Sequence, residues 1–195
     1  IILLHRLTEL EKGSASEELC HEFEDLRQKL REILDSYLRP ISHRLYPSIL
    51  RQGLVPALQS LADRFEAIIP IELKLDNELM RHERTDRHCI PEQIRLAAYR
   101  IAEESVTNAV KYSRCSRVTI SLDLSSTGTL CLKVHDDGQG FDEIVASDGI
   151  GISMMHDYAE VVGGTCRISS TLGQGTEIIS TFSLGKSDVQ FLETG

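Results

Sequence analysis

The sequence predicts an α+β sandwich: a mixed sheet of about five strands with three helices on one face, preceded by a partial helical hairpin. Three observations predict it. The first part of the chain carries apolar residues at heptad-like spacing, as helices packed side by side require. The rest mixes long 3.6-period segments with short alternating ones, the pattern of helices layered on a sheet. Its last four strands fall in two consecutive pairs, each joined by a short glycine-containing turn.

Taken in order, Leu3, Leu7 and Leu10 form a short apolar stripe, and Gly13-Ser14-Ala15-Ser16 interrupts it. Ser14 and Glu17 have capping-box spacing for a second helix. Its seam is Leu19, Phe23, Leu26, Leu30, Ile33 and Tyr37, at intervals of four, three, four, three and four. Two such helices bury little apolar surface alone, so a homodimer through these N-terminal helices is expected. Arg39-Pro40 and Pro47 end the helical pattern, which divides the chain into a hairpin region (1–46), a globular domain (47–186) and a tail (187–195).

In the globular domain, Pro56 stands in the first turn of a helix with apolar Leu58, Leu61, Ala62 and Phe65. Ile71, Leu73 and Leu75 alternate with charged residues as a strand. The polar stretch Asp76 to Cys89 has no period and reads as an irregular connection. Pro91 to about Tyr112 reads as a long helix. Two strands follow, one with Val118, Ile120, Leu122 and Leu124 on one face, the next with Leu130, Leu132 and Val134. A glycine-rich loop leads to a helix from about Ile152 to Val161. Strands near Thr165–Ser170 and Thr176–Leu184 close the domain, joined by Leu172-Gly173-Gln174-Gly175.

Composition narrows the function. Thirty acidic against 21 basic residues give a net charge of −9, a surface that repels nucleic-acid backbones. A bound polyphosphate would therefore need backbone N–H groups, a helix N-terminus or a metal ion. Five scattered cysteines without a CxxC pair argue for small core residues in a reducing, cytoplasmic setting and against a disulfide framework or zinc site. No apolar run approaches the ~20 residues of a membrane span, so no membrane contact is expected of this stretch. A start at Ile rather than Met reads as part of something longer.

Three features carry chemistry. Ala97, Ile101, Glu104, Asn108 and Lys111 fall on one stripe of the long helix, which leaves a core and turns acidic, amide and basic. Asn is a poor helix former, and an amide oxygen facing a pocket suits Mg2+, which takes oxygen ligands. Next, strand alternation places Asp136 on the core-facing side with Leu130, Leu132 and Val134. An inward carboxylate needs a donor, and the exocyclic amine of adenine is one. Gly138 and Gly140 then allow a sharp turn and close approach of the backbone. Last, Gly149-Ile150-Gly151 opens a helix whose N–H groups suit a phosphate. Each pattern also has a plain structural reading, and their conjunction carries the weight.

In this order and spacing the residues resemble the ATPase superfamily shared by DNA gyrase, heat-shock chaperones, MutL-type repair proteins and histidine kinases. Glu104-x-x-x-Asn108 looks like its N-box, Asp136-x-Gly138-x-Gly140 its G1 box and Gly149-Ile150-Gly151 its G2 box. Thr176, after Gly173-Gln174-Gly175, looks like the threonine that supports the adenine site. The likeness is greatest to sensor histidine kinases of the nitrate-sensor and lipid-fluidity-sensor type, over about residues 36–184. Arg100-Ile101-Ala102-Glu103-Glu104, Gly151-Ile152-Ser153-Met154-Met155 and Gly53-Leu54-Val55-Pro56-Ala57-Leu58 are similar to their corresponding segments.

That resemblance implies ATP and Mg2+ as cofactors and a response-regulator receiver domain as partner. It implies that Asn108 holds Mg2+, Asp136 binds the adenine amine, Glu104 orders or polarises water or the attacking group, and Lys111 contacts phosphate. Kinases of this type phosphorylate a histidine followed by an acidic residue on the first hairpin helix. His5 is followed by Arg6, and His21-Glu22 lies on the second helix, so the phosphoacceptor is expected before Ile1. The alternative is an ATP-binding switch or pseudokinase scaffold of the same superfamily, against which the intact Glu104, Asn108 and Asp136 speak.

Overall fold

A computed structural model describes residues 47–141 and 150–184. The expected hairpin of residues 1–46 with its Ser14–Glu17 box, the segment holding Gly149, and the tail lie outside those residues.

The described chain opens with a 3-10 turn, Ser48–Gln52, and then forms α1 (Leu54–Phe65), β1 (Ile71–Leu75), α2 (Asn77–Thr85), α3 (Glu92–Asn108), β2 (Val118–Leu124), β3 (Thr129–Asp136), α4 (Ile150–Val161), β4 (Thr165–Thr171) and β5 (Gly175–Ser183). The five strands lie in the order β1-β2-β3-β5-β4. β1 runs parallel to β2, and the other three pairings are antiparallel. The sheet is thus mixed, as expected, and five-stranded.

One face of the sheet is the core. Val118, Ile120 and Leu122 of β2, Leu130, Leu132 and Val134 of β3, and Ile178 and Phe182 of β5 are buried there. Leu54, Leu58 and Leu61 of α1 and Ala98, Ile101 and Ala102 of α3 are buried with them. Each fully buried leucine or isoleucine contributes roughly 1.5–3 kcal/mol, which holds the helical layer on the sheet. The alternate residues Lys133 and Glu177 lie on the other face and pair at 2.6 Å, both partly exposed.

The stretch after β1 departs from expectation. Asn77–Thr85 is a helix, begun by the Asp76 carboxylate, which accepts from the Leu79 N–H at 2.8 Å. It had no legible period because its buried face consists of Leu79 and an acid, Glu83. Glu83 is buried because its two carboxylate oxygens accept from the first N–H groups of α1, Leu54 at 2.7 Å and Val55 at 2.8 Å. Arg95 of α3, also buried, attracts Glu83 and donates to the Leu50 carbonyl at 2.7 Å.

The long helix also differs in detail. It is α-helical to Asn108 and then widens into a π turn, Ala109–Ser113, before Arg114 enters the left-handed region at φ 53°. Cys89, Cys115, Cys131 and Cys166 are free thiols, as expected, but half-buried rather than fully in the core. Cys131 sits on the outer face of β3, and burial pushes the Cys89 thiol up to about 12.

Candidate functional site

The stripe on α3 changes character along its length. Ala97 and Ile101 are buried, Glu104 and Asn108 are half-buried, and Lys111 is exposed. A π turn takes more residues per revolution than an α-helix, so Lys111 is offset from the straight line that its spacing from Glu104 implies. Its charge nevertheless acts on the Glu104 carboxyl. Burial pushes Glu104 up, and a hydrogen bond from Asn108 and the Lys111 charge work the other way. An amide that gives its N–H to Glu104 keeps its oxygen as an acceptor, the donor type Mg2+ takes.

Gly151 brings α4 to this pair. A β-carbon on Gly151 would overlap Glu104 Oε1 and stand 3.1 Å from Asn108 Nδ2. Only a residue without a side chain lets the first turn of α4 approach so closely. The N-terminal N–H groups of a helix are therefore beside a carboxylate and an amide. Gly149, the other glycine of that motif, lies outside the described residues.

Asp136 ends β3 on the core side, 5% exposed. Its Oδ1 accepts from the Gly138 N–H at 2.9 Å. Among the described residues no donor reaches its second oxygen. A carboxylate with one oxygen already bonded and the other open fits a ligand that brings an N–H, because a ligand that covers the open oxygen must supply a donor. Thr176 lies directly across the β3–β5 ladder from Asp136 and is also buried.

Gly138 and Gly140 serve the protein's own packing first. A β-carbon on Gly138 would overlap the Ser113 carbonyl, and one on Gly140 the Thr171 carbonyl. The loop between them is tied to the end of α3: Gln139 donates through its N–H to Ser113 O and through its side chain to Tyr112 O, both at 2.7 Å. Asp137 accepts from Ser116 and Arg117, and its carboxyl is held low by the Ser116 hydroxyl and those backbone N–H groups.

Sequence reasoning passed over Ser113 and Gly175. Ser113 sits five residues beyond Asn108, and only the π turn brings it beneath Gly138. Gly175 has φ 80°, and a β-carbon there would overlap the Asp136 carbonyl. Its signal was present in Gly173-Gln174-Gly175-Thr176, a turn pattern that any hairpin can use.

Two groups of residues result: Glu104, Asn108 and Gly151 in one, and Asp136, Gly138, Gly175 and Thr176 in the other, with the π turn between Asn108 and Ser113 joining them. Among the described residues no cluster of three or more His, Cys, Asp or Glu side chains is placed to hold a metal by itself. Mg2+ that keeps several waters and phosphate oxygens needs no such cluster, and Asn108 is the oxygen donor that fits it.

Residues 93–186 match the family model described as histidine kinase-, DNA gyrase B- and HSP90-like ATPase. The chain is 30% identical over 165 residues, 83% of its length, to the nitrate/nitrite sensor protein NarX of Escherichia coli K12. It is 29% identical over 156 residues, 79% of its length, to the sensor histidine kinase LiaS of Bacillus subtilis. These matches span only 25% and 39% of the two relatives. Among solved structures, the histidine kinase domain of the Erythrobacter litoralis EL346 blue-light activated histidine kinase overlays with a TM-score of 0.58 at 17% identity, covering 96% of this chain and 98% of that one. The Acinetobacter baumannii histidine kinase AdeS overlays with a TM-score of 0.54 at 18% identity, covering 95% and 94%. At such identities these two likenesses speak to the fold. The family match and the mixed sheet together identify residues 93–186 as an ATP-binding domain of the histidine kinase-, DNA gyrase B- and HSP90-like ATPase family.

Proposed function

We propose that this chain is the catalytic region of a two-component sensor histidine kinase, which transfers the γ-phosphoryl group of ATP to a histidine for relay to a response-regulator aspartate. The observation that carries the reading is the approach of Gly151 to Glu104 and Asn108. It sets helix N–H groups, a carboxylate and an amide around one point, as phosphoryl transfer requires.

In this reading the second oxygen of Asp136 accepts the adenine amine, with Thr176 beside it. The first turn of α4 and Lys111 face the phosphates, and the Asn108 oxygen completes the shell of Mg2+. The ion, when bound, neutralises charge on the phosphate oxygens. In the reaction the bond from γ-phosphorus to the bridging oxygen breaks and a phosphorus–nitrogen bond to the imidazole forms, leaving ADP and phosphohistidine. Glu104, raised by burial, orients the attacking group and is a better proton acceptor than an ordinary carboxylate. The N-terminal helices are read as the homodimer contact, and a receiver domain as the downstream partner.

Titration calorimetry with Mg2+ and ADP or ATP tests the site. The wild type binds, and Asp136→Asn loses at least about tenfold in affinity, because an amide replaces a charged acceptor. Radiolabel from γ-labelled ATP appears as acid-labile, base-stable phosphohistidine in the full-length kinase and disappears in Asn108→Asp. Nucleotide binding without any such label in the full-length protein would refute the kinase reading and favour an ATP-operated switch.

A further inference from the structure

In the reading above a nucleotide spans two anchors, Asn108 at the end of α3 and Asp136 at the end of β3. The sheet fixes Asp136, which is paired with Val118 on one side and Thr176 on the other. Asn108 is the last residue of α3 before the π turn. Its place relative to Asp136 therefore depends on what joins the helix end to the loop after β3.

Gln139 makes that joint, from between the two glycines of the loop. Its N–H donates to the Ser113 carbonyl and its side-chain Nε2 to the Tyr112 carbonyl, both at 2.7 Å. Tyr112 and Ser113 are the last two residues of the π turn. The Gln139 carbonyl accepts from the Gly173 N–H at 2.7 Å, which adds the β4–β5 turn. The backbone bonds ask nothing of the side chain, whereas the bond to Tyr112 needs a donor at the end of a stem of this length. Only the nitrogen of an amide can donate to a carbonyl, so the partner sets which end of the Gln139 amide faces the helix. Its neighbour Asp137 holds Ser116 and Arg117, which lie past the helix end. Gln139 holds the helix itself.

We propose that Gln139 is a positioning residue whose amide sets the spacing between the metal end and the base end of the nucleotide site. The inference rests on the ATP-binding reading and on Asn108 as a ligand of Mg2+. A nucleotide held at Asp136 carries its phosphates, and any Mg2+ on them, at a limited range of distances from the base. A helix end already fixed at that spacing presents the Asn108 oxygen to the ion without further ordering. Without the side-chain amide, the π turn loses one of its two hydrogen bonds to Gln139, and part of the ion's binding free energy must order the helix end. The base end depends on Asp136, which the sheet fixes, and is spared.

Calorimetry of ADP with saturating Mg2+, and with EDTA in its place, separates the two ends. The ratio of the two affinities is the gain that Mg2+ confers. Gln139→Met keeps the length of the side chain and loses the donor. Its ADP affinity without Mg2+ should stay within about twofold of wild type, while the gain from Mg2+ falls about threefold to tenfold. Gln139→Ala should behave alike. In an Asn108→Ala background Gln139→Met should lower the gain no further, since it acts through Asn108. A full gain in both Gln139 variants would overturn the inference. So would equal losses with and without Mg2+, the mark of a site that has loosened throughout, or a further loss in the Asn108→Ala background. Gln139 is exposed, so melts without nucleotide should stay within a few degrees of wild type. Collapse of the fold in both variants would show that the amide serves the fold rather than the spacing, and would overturn the inference too. A wild type that binds no ADP overturns the ATP-binding reading itself, whereas a gain indifferent to Gln139 overturns this inference alone.

Discussion

Two glycines of the site are needed for different reasons, and substitution separates them. At Gly151 an added methyl meets the side-chain ends of Glu104 and Asn108. Those ends can move, and alanine is the better helix former. Gly151→Ala is therefore expected to keep or slightly raise thermal stability while displacing Glu104 and Asn108. The rise in Tm that saturating Mg·ADP produces should shrink by more than half, read in a paired melt with and without nucleotide. At Gly175 the methyl meets the Asp136 backbone carbonyl at φ 80°, where neither partner can yield. Gly175→Ala should cost about 1–3 kcal/mol in chemical denaturation. Equal stability of Gly175→Ala and wild type would show that the β3–β5 approach is not as tight as described.

At the scale of elements, α1 is held at its first turn by an acid from α2 rather than by a cap of its own. Glu83 accepts from Leu54 and Val55, and burial pushes its carboxyl up, only partly offset by those N–H groups and Arg95. A carboxyl raised on folding binds its proton more tightly in the native state. Stability linked to Glu83 is thus greatest at low pH and falls as pH rises from the ordinary carboxylate range through the raised value. Glu83→Gln should remove that segment of the pH profile and lower stability at neutral pH, because its amide turns a donor toward one helix N–H and leaves Arg95 without its charge partner. Glu83→Ala should be worse, about 3–5 kcal/mol, the cost of a buried charge without its partner. Denaturant melts between pH 4 and 8 read both. A Glu83→Gln protein with the wild-type profile would show that another group carries the dependence. The same scale explains the π turn. Widening the end of α3 brings Ser113 beneath Gly138 and lets Tyr112 and Ser113 accept from Gln139, so the helix that carries Asn108 and the loop that follows Asp136 are tied together.

For the whole molecule, the order β1-β2-β3-β5-β4 puts β3 between β2 and β5, so Asp136 stands in the interior of the sheet with Val118 on one side and Thr176 on the other. Among the described residues no helix is long and apolar enough to cross a membrane. The heptad-like seam from Leu19 to Tyr37 leads us to expect a homodimer. Light scattering of the full chain should give twice the monomer mass, and Leu26→Lys with Leu30→Lys should give the monomer. A monomeric wild type at high concentration would refute the dimer.

Much of this was readable in the linear order of residues, because period and alternation report directly which face is buried. Leu130, Leu132, Val134 and Asp136 had to share a side of β3, and Ala97, Ile101, Glu104 and Asn108 had to share a side of α3. The sequence by itself therefore determined the α+β layering, the inward carboxylate and the acid–amide pair. Only the tertiary structure decided what depends on groups distant in the chain. Glu83 of α2 is buried because it finds the N–H groups of Leu54 and Val55, 29 and 28 residues away. Ser113 reaches Gly138 through a π turn, and Ser170 meets Thr176 across a strand pairing, and neither leaves a periodic trace. Local periodicity encodes burial, whereas hydrogen-bond partners are chosen in three dimensions.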